Sequence, residues 1–202
     1  MTAGRFYVVS APSGTGKTTI LRRIMRAFPQ IRFSVSYTTR PSRAGEKDGV
    51  DYHFLSHGEF QKMIQKGEFA EWTEAHGNYY GTSKAFLEEC LAQDTDVILD
   101  IETDGAEQIQ KKYPDGIFIF ILPPEIGDLK ERLTRRGSES QEMIDLRLRN
   151  ASKEIEKMDK YDYVVVNEHV DEAVEKIRAI IIAERCKRRR VLRDLKDSRI
   201  KS

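Results

Sequence analysis

Four short apolar runs limit what this chain can fold into: FYVVS (6–10), DVILDI (96–101), IFIFIL (117–122) and YVVVN (163–167). None of them alternates apolar with polar residues, so none suits a sheet with one wet face. Each reads as a strand covered on both sides, which is the pattern of a parallel sheet. Helical periodicity fills the intervals. In TTILRRIMRAF (18–28) Ile20, Ile24 and Phe28 share a face beside Leu21, and Pro29 stops the pattern. SHGEFQKMIQKG (56–67) opens with Ser56 three residues before Glu59, a capping box, and closes at Gly67. The repeated β-α-β order predicts an α/β doubly wound fold.

Two stretches interrupt that rhythm. Residues 32–83 carry loops and polar aromatics where a crossover helix would stand, and they read as an inserted subdomain. Residues 132–150, RLTRRGSESQEMIDLRLRN, are arginine-rich around a short polar loop and read as a lid. The 202 residues suffice for one domain with such insertions. The net charge is +1, but residues 185–202 hold nine basic and two acidic groups, leaving 25 basic against 31 acidic residues before them. Cys90 and Cys186 lie far apart and form no metal-type or redox pair, the simplest setting for which is a reducing cytoplasm. The apolar runs are too short to span a bilayer, and FYVV leads straight into glycine-rich polar sequence, so neither a membrane anchor nor a signal peptide is expected.

The first apolar run empties into SAPSGTGKTT (10–19). The strict phosphate-loop pattern is G-x-x-x-x-G-K-[ST]. Gly16, Lys17 and Thr18 match it, while Ala11 stands where the first glycine would be, a difference of one methyl group. A loop that grips a triphosphate turns its backbone N–H groups inward, which glycine does cheaply, and Gly14 and Gly16 supply that freedom. The helix that follows adds the positive end of its dipole. Lys17 can reach the β and γ phosphates, and Thr18 can place its hydroxyl on Mg²⁺. Ala11, Pro12, Ser13, Gly14, Thr15, Gly16, Lys17, Thr18 and Thr19 are thus the ATP-binding candidates. Asp100, at the carboxyl end of VILD, sits where a carboxylate acts on Mg²⁺ through coordinated water, although an ordinary strand-end acid would occupy the same place.

Further segments fall in a fixed order behind this loop: FSVSYTTRPSRAGEKDGVDYHF (33–54), EWTEAHGNYYGTS (71–83), LDIETDG (99–105), RLTRRG (132–137) and VVVNE (164–168). Together with SAPSGTGKTT they resemble the guanylate kinase family from Ser10 to Asn167. The resemblance implies a phosphate-loop three-layer fold in one domain. Its core would comprise 1–31, 84–131 and 151–202, its monophosphate-binding insertion 32–83, and its lid 132–150. It also implies transfer of the ATP γ-phosphoryl group to GMP, and to dGMP, with Mg²⁺.

The residues carry that chemistry. A monophosphate wants fixed cations and hydroxyl donors, and Arg40, Arg43, Tyr52 and Tyr80 offer both at positions that match the family's monophosphate site. Guanine presents two N–H donors and a carbonyl, so its site needs a carboxylate and a hydroxyl. By resemblance Glu71 supplies the first, and Ser36 and Thr82 the second. Glu102 matches a further base-reading position where the family usually has aspartate, and Asp104 replaces a usual glutamine. Arg132, Arg136 and Arg147 match the phosphate-clamping arginines of the lid, and Asn167 a position near the adenine of ATP. The four histidines follow no motif, and no catalytic base is needed. The acceptor phosphate ionises a second time near pH ~6 and is already a dianionic nucleophile at neutrality.

Three rival readings face this one. Some guanylate-kinase-like domains in scaffold proteins bind phosphopeptides without catalysis, but those typically lose the loop or arginine features that are intact here. A related kinase acting on another small phosphorylated acceptor would have no use for Glu71, Ser36 and Thr82. The basic tail RCKRRRVLRDLKDSR could contact nucleic acid, but its interspersed acids and lack of aromatics suit a solvated helix better. The sequence leaves a homo-oligomer open.

Overall fold

The computed structural model describes residues 4–75, 77–125, 127, 141–188 and 191–192, and for 141–145 and 147 the backbone alone. In chain order the first elements are β1 (Phe6–Ser10), α1 (Lys17–Ala27), β2 (Arg32–Ser34), β3 (Tyr37–Thr38), β4 (His53–Phe54) and α2 (His57–Gln65). Then come β5 (Phe69–Ala75), β6 (Asn78–Ser83), α3 (Lys84–Ala92), β7 (Val97–Asp100), α4 (Thr103–Lys112) and β8 (Ile117–Leu122). The chain finishes with α5 (Gln141–Ile155), a 3₁₀ turn (Met158–Lys160), β9 (Tyr163–Val166) and α6 (Val170–Arg185). The described residues fall into two compact units: the segment up to Ser10 with Gln30–Phe118, and Ala11–Pro29 with the residues from Ile119 onward.

In the unit that holds Gln30–Phe118, β2, β7 and β1 lie side by side and parallel, with Phe6 opposite Val97 and Arg32 opposite Val97 on the other side. β1 is buried throughout and β7 over Val97–Leu99, as apolar strands without alternation require. A second sheet runs β4-β3-β6-β5. Its own small core forms where Phe60 of α2 stacks on Phe69 at 4.4 Å and on Tyr79 at 5.5 Å. Gly81 of β6 has no alternative here, because a Cβ would stand 2.8 Å from the Phe69 ring and 3.0 Å from that of Phe60. The capping box closes as expected, with Ser56 accepting from the Glu59 N–H and Glu59 accepting from the Ser56 N–H. α4 is strapped along β5 by Gln108 Nε2 donating to the Trp72 carbonyl (2.8 Å) and Lys112 Nζ to that of Ala70 (2.6 Å).

In the other unit β8 and β9 pair in parallel from Ile119–Tyr163 to Leu122–Val166. α1 buries Ile20, Leu21 and Ile24, and it packs on α6, which buries Ala173, Val174, Ile177 and Ile181. Arg23 pairs with Asp171 across the two helices, and the Arg185 guanidinium lies 5.3 Å from the centre of the Phe28 ring. One strand departs from expectation: Val164 of β9 is 45% exposed. Val165 beside it is buried, so among the described residues one face of β9 is covered and the other, at Val164, is open. Among the described residues, no helix is long and apolar enough to cross a membrane.

Candidate functional site

The loop after β1 has the backbone that the sequence predicts. Gly14 (φ 90°) and Gly16 (φ 96°) take left-handed conformations that side chains resist, whereas Ala11 does not. Glycine is therefore dispensable at position 11, and the one mismatch to the strict pattern has no conformational cost. Thr15 ties the loop to itself, its hydroxyl donating to the Pro12 carbonyl at 2.6 Å. Gly16 is the N-cap of α1 and no side chain caps the helix. Lys17, Thr18 and Thr19 form its first turn, with the two threonines exposed. An uncapped helix start leaves backbone N–H groups without helical partners, and its dipole favours negative charge.

Asn167 lies against this loop. It is buried, and its Nδ2 donates to the Thr15 carbonyl at 2.7 Å. A Cβ on Gly16 would come within 3.1 Å of the same nitrogen. The described side-chain hydrogen bond of Asn167 is thus to the loop's backbone, a bracing contact that its place after an apolar strand does not announce.

In the other unit, Glu71 of β5 is only 3% exposed. Its Oε1 accepts the Thr82 hydroxyl at 2.6 Å from the neighbouring strand β6. Its Oε2 points at Gly105 in the first turn of α4, so closely that a Cβ there would stand 2.9 Å from the carboxyl carbon. Burial pushes the Glu71 carboxyl up to about 7. The Thr82 hydrogen bond and the charge of Lys112 pull it down, and the charge of Glu102 raises it further. Thr82 commits its proton to the carboxylate, and Ser36 is buried in the same unit. Glu102 is exposed at the N-cap of α4, and Asp100 is half-buried at the end of β7.

Around the β3–β4 connection a second group assembles. The Tyr52 and Tyr80 rings meet edge to face at 6.1 Å. The Arg40 guanidinium lies 5.3 Å from the Tyr52 ring centre and 5.8 Å from that of Phe54. Arg40 is held in a two-pronged ion pair by Glu46, at 3.0 and 2.9 Å. Arg43 is exposed nearby.

The guanylate kinase family model matches residues 3–184. The chain belongs to the guanylate kinase family. It is 50% identical over 189 residues to the guanylate kinase of Geobacter metallireducens, covering 94% of this chain and 93% of that protein. To the guanylate kinase of Thermotoga maritima it is 44% identical over 184 residues, covering 91% and 89%. Among solved structures, the crystal structure of guanylate kinase from Anaplasma phagocytophilum aligns with a TM-score of 0.77 at 34% identity, covering 99% of this chain and 97% of that one.

Within this guanylate kinase fold, the phosphate loop and Asn167 come together in one unit. Ser36, Arg40, Arg43, Tyr52, Glu71, Tyr80, Thr82, Asp100 and Glu102 belong to the other. Arg132 and Arg136 lie outside the described residues, as does the side chain of Arg147, whose backbone belongs to α5. Two residues escaped the reading of the sequence. Glu46 is the ion-pair partner of Arg40, and the turn Arg43-Ala44-Gly45-Glu46 could have flagged it. Gly105 leaves the room that the Glu71 carboxyl occupies, and no local signal marks a glycine inside a helix for that purpose.

Proposed function

We infer that this chain catalyses transfer of the γ-phosphoryl group of ATP to GMP, giving ADP and GDP, with dGMP as a second acceptor. The observation that carries the choice of acceptor is the buried Glu71 carboxyl, fixed between Thr82 and Gly105. A buried carboxylate is costly unless it has donors to meet, and the pairing edge of guanine offers two. Ser36 supplies the hydroxyl for guanine O6. Glu102, one methylene longer than the family's usual aspartate, is a further contact to the base.

On this reading Arg40, Arg43, Tyr52 and Tyr80 take the monophosphate, and the loop from Ala11 to Thr19 takes the ATP phosphates, with Asn167 behind it. Lys17 bridges the β and γ phosphates. Arg132, Arg136 and Arg147 neutralise charge on the group in flight, work for which an arginine finger is worth about 10³–10⁵ in rate. No side chain needs to remove a proton, because the acceptor is already a dianion. Catalysis is then alignment of two anions and cancellation of their repulsion.

Mg²⁺ bound with ATP would supply charge neutralisation between the β and γ phosphates. Thr18, exposed on the first turn of α1, would hold it directly, and Asp100 through water. Among the described residues no cluster of three or more histidine, cysteine or acidic side chains could cage a metal. We read 32–83 as the monophosphate insertion and 132–150 as the lid. A cytoplasmic setting fits the two unpaired cysteines.

The test is direct: incubate the protein with Mg·ATP and each nucleoside monophosphate in turn, and measure the diphosphates. ADP and GDP should accumulate together with GMP, and ADP with dGDP when dGMP is supplied. Turnover with AMP or a pyrimidine monophosphate at a similar rate would overturn the assignment of Glu71.

A further inference from the structure

Arg40 carries five N–H donors in a rigid fork. Nη1 and Nη2 grip the two oxygens of Glu46 at 3.0 and 2.9 Å, and Nη1 also donates to the Pro41 carbonyl at 2.7 Å. Three donors are thus committed. Nε and the second N–H of Nη2 have no partner among the described residues, and these two form the other prong pair of the guanidinium, whose spacing matches two oxygens of a phosphate.

Glu46 does more than pair with Arg40. Its Oε2 also accepts the backbone N–H of Arg43 at 2.7 Å, while its own N–H donates to the Arg43 carbonyl at 3.0 Å. Gly45 between them has φ 89°, the left-handed value that the third position of a type II turn requires. One carboxylate therefore fixes the guanidinium of Arg40 and the backbone of Arg43. Both side chains of the ion pair are largely shielded, at 13% and 20% exposure. The hydrogen bonds to Arg40 hold Glu46 below the usual carboxylate range, and Glu46 in turn raises Arg40, so the pair is fully ionised at neutral pH.

We propose that Glu46 is a positioning residue for the monophosphate: it orients Arg40 so that its Nε–Nη2 edge faces the incoming phosphate, and it holds the Arg43 turn beside it. This rests on the reading that Arg40 binds the acceptor's phosphate. Simple electrostatics predicts the opposite of positioning. Glu46 is an anion next to an anion site, and removing its charge should strengthen phosphate binding if charge alone mattered. The sign of the effect therefore decides the question.

The experiment measures the Kd of GMP, the KM of GMP and of ATP, and the Ki of guanosine, which has the base but no phosphate. The variants are Glu46→Gln, Glu46→Asp and Arg40→Ala in the full chain. Glu46→Gln turns an amide N–H₂ towards the guanidinium, so GMP should bind at least tenfold more weakly, while the guanosine Ki and the KM of ATP stay within twofold. Glu46→Asp keeps the charge but cannot span both nitrogens, and it should lose part of the same affinity. Unchanged or tighter GMP binding in Glu46→Gln would overturn the proposal, as would equal weakening of GMP and guanosine, which marks a collapsed loop. Arg40→Ala separates the two levels. If it weakens GMP while Glu46→Gln does not, only the positioning role fails. If Arg40→Ala leaves GMP untouched, the monophosphate reading of Arg40 fails and the role of Glu46 falls with it.

Discussion

Replacing Gly105 by alanine adds one methyl group, and the structure places it against the buried Glu71 carboxyl, to which we assign the reading of the base. The new Cβ would stand 2.9 Å from Cδ of Glu71 and closer still to Oε2. Carbon atoms in comfortable contact are about 3.5–4.0 Å apart, so the carboxyl must retreat by roughly 0.6–1 Å. Its path is restricted, because Oε1 is bonded to Thr82 at 2.6 Å and α4 is strapped to β5 through Gln108 and Lys112. A displacement of about 1 Å in a positioned group can cost about 10²-fold in rate. We therefore expect kcat/KM for GMP to fall about ten- to a hundredfold, with the KM of ATP unchanged. The fold should survive. Overpacking costs about 1–3 kcal/mol, partly offset by the gain of about 0.5–1 kcal/mol from alanine over glycine inside a helix. The assay is steady-state turnover with varied GMP, alongside a thermal melt. A double-mutant cycle with Glu71→Asp sharpens it, since the shorter carboxylate vacates the space that the methyl needs. The two changes should then cost less together than the sum of their separate effects. Strict additivity, or normal GMP kinetics in Gly105→Ala, would refute the contact as the reason for the glycine.

Glu71→Gln tests the same carboxyl through pH. Its acidity is displaced from an ordinary 4.5 to about 7, so the folded protein binds a proton that the unfolded chain has released. Stability from this group is complete below pH ~4.5 and is lost as pH rises through about 7, to a total of about 3 kcal/mol. Urea denaturation from pH 4.5 to 8 should show that decline in the ligand-free protein, and Glu71→Gln should flatten it; equal slopes would remove Glu71 as its source. The same variant should lower kcat/KM for GMP by about ten- to a hundredfold, because an amide must turn N–H₂ towards guanine's donors. Lys17→Ala should reduce turnover about a hundred- to a thousandfold in a folded protein; near-normal turnover would make the phosphate loop merely a structural turn. Asn167→Ala removes the bond to the Thr15 carbonyl and should raise the KM of ATP about three- to tenfold while the KM of GMP holds. A change confined to GMP would contradict the bracing of the loop.

The sequence by itself determined the parallel strands, the phosphate loop and the capped helix α2. Each is written in consecutive residues, through local geometry: unbroken apolar runs for β1 and β8, glycines at the two positive φ positions, and serine three residues before glutamate. It also indicated the family, because the segments keep their order. The tertiary structure alone decided how the named residues are held. Thr82 bonds to Glu71 because β5 and β6 place them side by side on adjacent strands. A side chain at Gly105 would crowd that carboxyl because α4 lies against it, and Asn167 meets Thr15 across 152 residues of chain. Even Glu46, six residues from Arg40, is legible only once the Gly45 turn brings its carboxylate back to the guanidinium. Periodicity and spacing record which face a residue takes on its own element. They carry no record of which side chain from a distant element will meet it there, and that meeting sets the acidity of Glu71 and the aim of Arg40.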